Sequence, residues 1–124
     1  MAALTPSSPV KAYAALDPAT EGAARAFMRQ LKGRYPVREA FLFGSRARHA
    51  HGPESDADIA VVLCGERRDR SAIVRDMAGI AFHVMMDTGV MVEALPLFED
   101  EFEHPEMFNN PRLIDAIRRE GLRL

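Results

Sequence analysis

Gly44-Ser45-Arg46-Ala47-Arg48, followed after a short polar loop by Ser55-Asp56-Ala57-Asp58-Ile59-Ala60-Val61-Val62-Leu63, is the stretch on which the reading of this chain turns. On either side lie Val37 to Phe43 and Ile59 to Leu63, apolar and rich in residues that favour strands, so the loop joins two strands and its charges sit where they meet solvent. Residues two apart on a strand point to the same side, about 7 Å from one another. Asp56 and Asp58 therefore share a side. Carboxylates so spaced can each give an oxygen to Mg²⁺, or bridge two ions about 3.5–4 Å apart, and Mg²⁺ commonly keeps only one or two carboxylates beside water and substrate phosphates. An isolated Asp-x-Asp is also what a polar turn before a buried strand looks like. The Gly-Ser turn upstream separates the two readings.

Gly44 opens backbone conformations closed to other residues and lets a ligand approach the chain. If Ser45 to Arg48 begins a short helix, successive amides form an anion-binding concavity, with the Ser45 hydroxyl beside it and positive charge from Arg46 and Arg48. A turn suited to phosphate followed, in order, by a carboxylate pair suited to a divalent cation is far more specific than either alone.

The run Gly44-Ser45-Arg46-Ala47-Arg48, with Asp56 eleven positions after Ser45 and Asp58 two further on, resembles the signature of minimal nucleotidyltransferases of the DNA polymerase beta superfamily. The resemblance implies an α/β (α+β) fold with a short mixed sheet flanked by helices. It also implies a nucleotide-binding role for Gly44, Ser45, Arg46 and Arg48, Mg²⁺ held by Asp56 and Asp58, and transfer of a nucleoside monophosphate, most plausibly AMP from ATP, with release of pyrophosphate. Small prokaryotic members pair with a helical ribonuclease toxin called HEPN and serve as the antitoxin that nucleotidylates it. One departure stands out: family members usually carry Gly where this chain has His49. His49 and His51 are read as solvated loop residues, since no His or Cys spacing of a metal site accompanies them.

A third carboxylate is expected from a later strand, and Glu93 is the candidate. It interrupts the apolar run Val90 to Leu95, where an ionised carboxylate is costly unless a cation or base accompanies it; the alternative reading puts Glu93 on an exposed or edge-facing side, where it has no such cost. Beside the strand of Asp58 it would complete the cation site and help deprotonate the incoming hydroxyl. Pro96 is expected to end that strand. Between the two, Ser71 is expected to cap a helix with apolar residues at Ile73, Met77, Ile80 and Val84, closed by Gly89. Asp17-Pro18 reads as the cap and first turn of an earlier helix with Ala24, Phe27, Met28 and Leu31 on one stripe, closed by Gly33. An acidic short helix follows within Phe98 to Pro105, then a last helix from Pro111 to Glu120 stopped by Gly121.

A chain of 124 residues suits one domain, expected at 17–124 behind a flexible leader at 1–16, with no room for a separate substrate-binding module. A formal net charge of −2 and a pI near 6.1 give no bulk attraction to nucleic acid or membrane. No aromatic platform for bases is present, because Trp is absent and Tyr13 and Tyr35 lie outside the motif. Arg67, Arg68 and Arg70 read as a solvated loop. No apolar run approaches a membrane span, and the N-terminus lacks the order of a signal peptide, so a cytoplasmic setting is expected. The lone Cys64 reads as a small core residue. Met85, Met86 and Met91 with Phe98, Phe102, Met107 and Phe108 read first as core, with a Met-rich docking face as the alternative. Three functions follow: transfer to a partner protein, an antitoxin acting by docking with an idle site, or a nucleotidyltransferase for a small molecule such as an antibiotic.

Overall fold

The computed structural model describes residues 13–124. Helix α1 (Pro18–Leu31) is followed by strand β1 (Val37–Phe43), the long site loop, β2 (Ala57–Leu63), helix α2 (Arg70–Thr88), β3 (Val92–Phe98), a short α3 (Glu99–Glu103), a 3₁₀ turn (Pro105–Met107), α4 (Pro111–Glu120) and a two-residue β4 (Leu122–Arg123). The sheet is mixed, in the order β3-β2-β1-β4. β1 runs antiparallel to both its neighbours, and β2 pairs with β3 in parallel through the α2 crossover. This is the α+β architecture the resemblance implies.

Strand alternation sorts the side chains onto two faces. Ile59, Val61 and Leu63 turn to one side and pack with Phe27, Leu31, Met77 and Val84 of α1 and α2. Ala60, Val62 and Leu97 turn to the other, where Phe102 of α3 and Ile114 and Ile117 of α4 cover them. The second layer is smaller, and it leaves the end of the sheet that carries Asp58 open.

Caps fall mostly where the sequence places them. Asp17 accepts from the Thr20 N–H at the start of α1, with Pro18 in its first turn, and Gly89 closes α2 at φ 81°. The cap of α2 is Asp69 and not Ser71, because the Asp69 carboxylate accepts from the Ala72 N–H. β3 does not stop at Pro96. It continues to Phe98 with Pro96 paired to Val61, which costs no ladder bond on the free side because β3 is an edge strand. The expected leader at 1–16 lies outside the described residues as far as residue 12. Its last part is not a leader, since Leu16 is buried and Tyr13 packs against the core beneath Arg25, whose guanidinium lies 4.2 Å from the ring centroid. Cys64 is exposed, one residue past the buried strand. Among the described residues no helix is long and apolar enough to cross a membrane.

Neither the arginine cluster nor the acidic run is simply solvated. Glu101 is 2% exposed. One of its carboxylate oxygens accepts from the Phe98 N–H at 3.0 Å, and the other accepts from Arg70, whose guanidinium also donates to the Pro96 carbonyl at 2.7 Å and lies over the rings of Phe98 and Phe108. This pair fastens the start of α2 to the turn after β3. Arg70→Met leaves Glu101 buried beside only Arg67, at 3.8 Å. Urea unfolding should show a loss of about 2 kcal/mol, and Arg70→Met with Glu101→Gln should recover most of it, since the unpaired charge is gone while the amide oxygen still accepts from the Phe98 N–H.

Candidate active site

Gly44 follows the last residue of β1 at φ 79°, a left-handed conformation. A Cβ there would collide with Oδ2 of Asp58. Phe43 and Asp58 are paired across β1 and β2, so the glycine is needed twice, for its backbone angle and for the carboxylate lying against it. Residues 45–49 form consecutive turns and not the short helix expected there. Within residues 44–50 the backbone bonds use the N–H groups of Ala47, Arg48 and Ala50, donated to Gly44 and Ser45 carbonyls, and none of them uses those of Ser45 and Arg46. Amides left over at the start of such a turn are what an anion needs.

The carboxylates meet as the parallel register dictates. Asp58 in β2 lies directly opposite Glu93 in β3. Asp56 sits one residue before β2 and is exposed at its mouth, where the neighbouring Ala57 N–H donates to the Met91 carbonyl at 2.8 Å. Partial burial, then the charges of Glu93 and Asp56, then a hydrogen bond to Glu93, push the Asp58 carboxyl up to about 6, against an opposing pull from Arg48. A carboxyl held above its ordinary range by burial first and then by two like charges is a place where a cation is welcome. Glu93, exposed on the edge strand, thus lies beside Asp58, the place where a third acid is expected. Among the described residues no three His, Cys, Asp or Glu side chains gather closely enough to hold a metal by themselves. The donor set fits a hard cation that takes part of its shell from substrate oxygens.

The two arginines of the loop part company. Arg48 is exposed, 3.7 Å from Glu120 and near enough to Asp58 to bear on its charge. Arg46, expected beside the phosphate, is 2% exposed and points the other way, donating to the Ser55 carbonyl at 2.9 Å and Thr20 Oγ1 at 2.7 Å. A guanidinium cannot contact a ligand from inside the protein, so Arg46 is not a nucleotide ligand through its side chain. His51 belongs to the same inner network, with Nε2 3.2 Å from Asp17. His49 is exposed and has φ 57°, the one positive value among the described non-glycine residues. The position where the resemblance leads one to expect Gly is thus a left-handed one.

Two openings meet at Glu93. One, of about 290 Å³, is lined by Phe43, Asp58, Leu95 and Leu113. The other, of about 350 Å³, runs along α2 between Val74, Ala78, Phe82 and Met91, with Asp56 at its rim. Met86, Phe82 and Met107, 67%, 52% and 50% exposed, are surface residues and not core filling. The i, i+4 spacing of Val74, Ala78, Phe82 and Met86 is a second apolar stripe on α2, readable in the sequence behind the stripe that faces the core.

Asp58 titrates above the ordinary carboxylate value, so its contribution to stability is full below about pH 4 and is lost as pH rises through about 6. In metal-free buffer Asp58→Asn should therefore gain on the wild type between pH 4 and 6 and hold a lead of about 1–2 kcal/mol above pH 7, less than the full shift because water screens a half-exposed group. An advantage flat from pH 4 to 8 in chemical unfolding would contradict the repulsion. His49→Gly should add about 0.5–1 kcal/mol by thermal unfolding, since it relieves the left-handed strain and gives back part of that in chain entropy.

A family described as nucleotidyltransferase domain matches residues 24–109, more than half of the chain. No curated protein matches. A solved structure from Sulfolobus solfataricus, of a protein proposed to be a nucleotidyltransferase, is 20% identical with a TM-score of 0.46, over 80% of this chain and 81% of that one. By the match across 24–109, which takes in the Gly44 turn and all three carboxylates, this chain belongs to the nucleotidyltransferase domain family.

Proposed function

We propose that this chain transfers a nucleoside monophosphate, AMP from ATP, to a hydroxyl of a partner protein, and that the partner is a helical ribonuclease toxin of the HEPN type for which it is the antitoxin. The observation that carries the transfer reading is the register placing Glu93 against Asp58 beside the Gly44 turn. Amides of Ser45 and Arg46 with the Arg48 guanidinium take the triphosphate oxygens. Asp56, Asp58 and Glu93 would hold Mg²⁺, which when bound neutralises charge on the α-phosphoryl group. The acceptor oxygen forms a bond to the α-phosphorus, the bond to pyrophosphate breaks, and Glu93 receives the hydroxyl proton. Positioning and fixed charge supply most of the rate.

The acceptor side supports a protein. The groove on α2 opens at Asp56 and Glu93 but is walled by Val74, Ala78, Phe82 and Met91, which offer a polar sugar-like compound no hydrogen bonds and offer an apolar protein surface a seat. A surface seated there brings its hydroxyl to Glu93.

Labelled ATP, Mg²⁺ and a co-purified partner should give labelled partner. Asp56→Ala with Asp58→Ala should remove the label and also the rise in Tm that millimolar Mg²⁺ with ATP gives the wild type. Glu93→Gln should slow transfer by about 10²-fold or more. Phe82→Asp should cut labelling of the partner while leaving the Mg²⁺-ATP rise in Tm unchanged. Toxin neutralisation retained in the double variant, with label never seen, would replace transfer by docking.

A further inference from the structure

The geometry points to Arg46 as the positioning residue that sets the distance between the phosphate turn and the carboxylates; this rests on the proposed nucleotide site. Its backbone lies next to Ser45, while its side chain leaves the site and enters the protein. There Nε donates to the Ser55 carbonyl at 2.9 Å, Nη2 to the Pro53 carbonyl at 3.4 Å and Nη1 to Thr20 Oγ1 at 2.7 Å. Ser55 is the residue before Asp56. One guanidinium therefore spans from the neighbour of the phosphate-facing residue to the neighbour of the first carboxylate.

The third arm anchors the span. Thr20 accepts from Arg46 and donates its own hydroxyl proton to Asp17 at 2.7 Å, and Asp17 stands 4.0 Å from the guanidinium and 3.2 Å from His51. Burial alone would raise the Asp17 carboxyl, but the Thr20 hydrogen bonds and the charges of His51 and Arg46 outweigh it and hold it below the ordinary value. The loop is thereby tied to the first turn of α1, whose other side packs on the sheet. A buried guanidinium left without partners would be heavily penalised, so each of its three bonds constrains the backbone that supplies it. Lysine has no planar fork and cannot reach three acceptors in these directions at once.

Arg46→Met and Arg46→Lys, with Ile117→Val as a control that lowers Tm without touching the loop, test this at a temperature where all remain folded. Two readouts are taken: the rate of tryptic cleavage at Arg48-His49, and the Kd for Mg²⁺-ATP. Both Arg46 variants should be nicked about tenfold faster than the control and bind Mg²⁺-ATP about tenfold or more weakly, with Lys failing to restore either. Nicking and Kd equal to those of the control would overturn the inference. If the wild type itself binds no Mg²⁺-ATP, the proposed nucleotide site falls, and the cleavage rate alone still decides whether Arg46 holds the loop.

Discussion

Asp58 and Glu93 face each other on adjacent parallel strands, and the ladder below them keeps them there. Ile59 pairs with Ala94, Val61 with Pro96 and Leu63 with Phe98, all in one register without a break. A slip of one residue would exchange the side chains that β2 sends to its two packed faces and bring its polar end into the ladder, so the cores that favour this register also force the two carboxylates together. The repulsion between them is the smaller quantity and cannot choose another pairing. Everything else near the site accommodates that fact: Gly44 vacates the space that Oδ2 of Asp58 occupies, and Arg48 stays close enough to offset part of the charge.

What could be read in the sequence followed from local rules. The turn at Gly44, the placing of Asp56 and Asp58 at the start of β2, the caps at Asp17 and Gly89 and the inner stripe of α2 all depend on spacing within a few residues, where strand and helix periods or turn chemistry decide the outcome. Glu93 stood out as a carboxylate in an apolar strand, but it is exposed on an edge strand and carries no burial cost; what sets it beside Asp58 is the parallel register. Arg46 was not legible. In a loop no period says which way a side chain points, and the partners that draw Arg46 inward, Thr20 and Ser55, lie 26 residues before it and nine after it. The same limit hid Glu101, whose partner Arg70 lies 31 residues away, and β4, whose two residues carry no pattern before Phe41 and Leu42 pair with them. Pro96 misled because whether a proline ends a strand depends on whether that strand is an edge, which is a property of the sheet.

Buried charge does similar structural work at two junctions of the fold. Arg46 joins the site loop to α1, and the Arg70–Glu101 pair joins α2 to the turn after β3. Hydrophobic contact is non-directional and would hold either junction at several angles. A guanidinium with fixed donors holds it at one. The loop from 44 to 56 has no strand or helix bonds of its own to give it shape, so a directional fastener is the device available to it.

Helix α2 carries the consequence furthest. Its inner residues Ile73, Met77 and Val84 build the core under β2, while Val74, Phe82 and Met86 on its outer side remain in solvent. A helix apolar on two sides is under-covered by its own domain. Since the same helix leads into Gly89 and the start of β3, its outer stripe ends at the carboxylates, and any surface that covers the stripe also covers one side of Glu93. The apolar exposure and two of the carboxylates, Asp56 and Glu93, line one groove, so burying the first shields the α2 side of the second while the opening at Asp58 stays free.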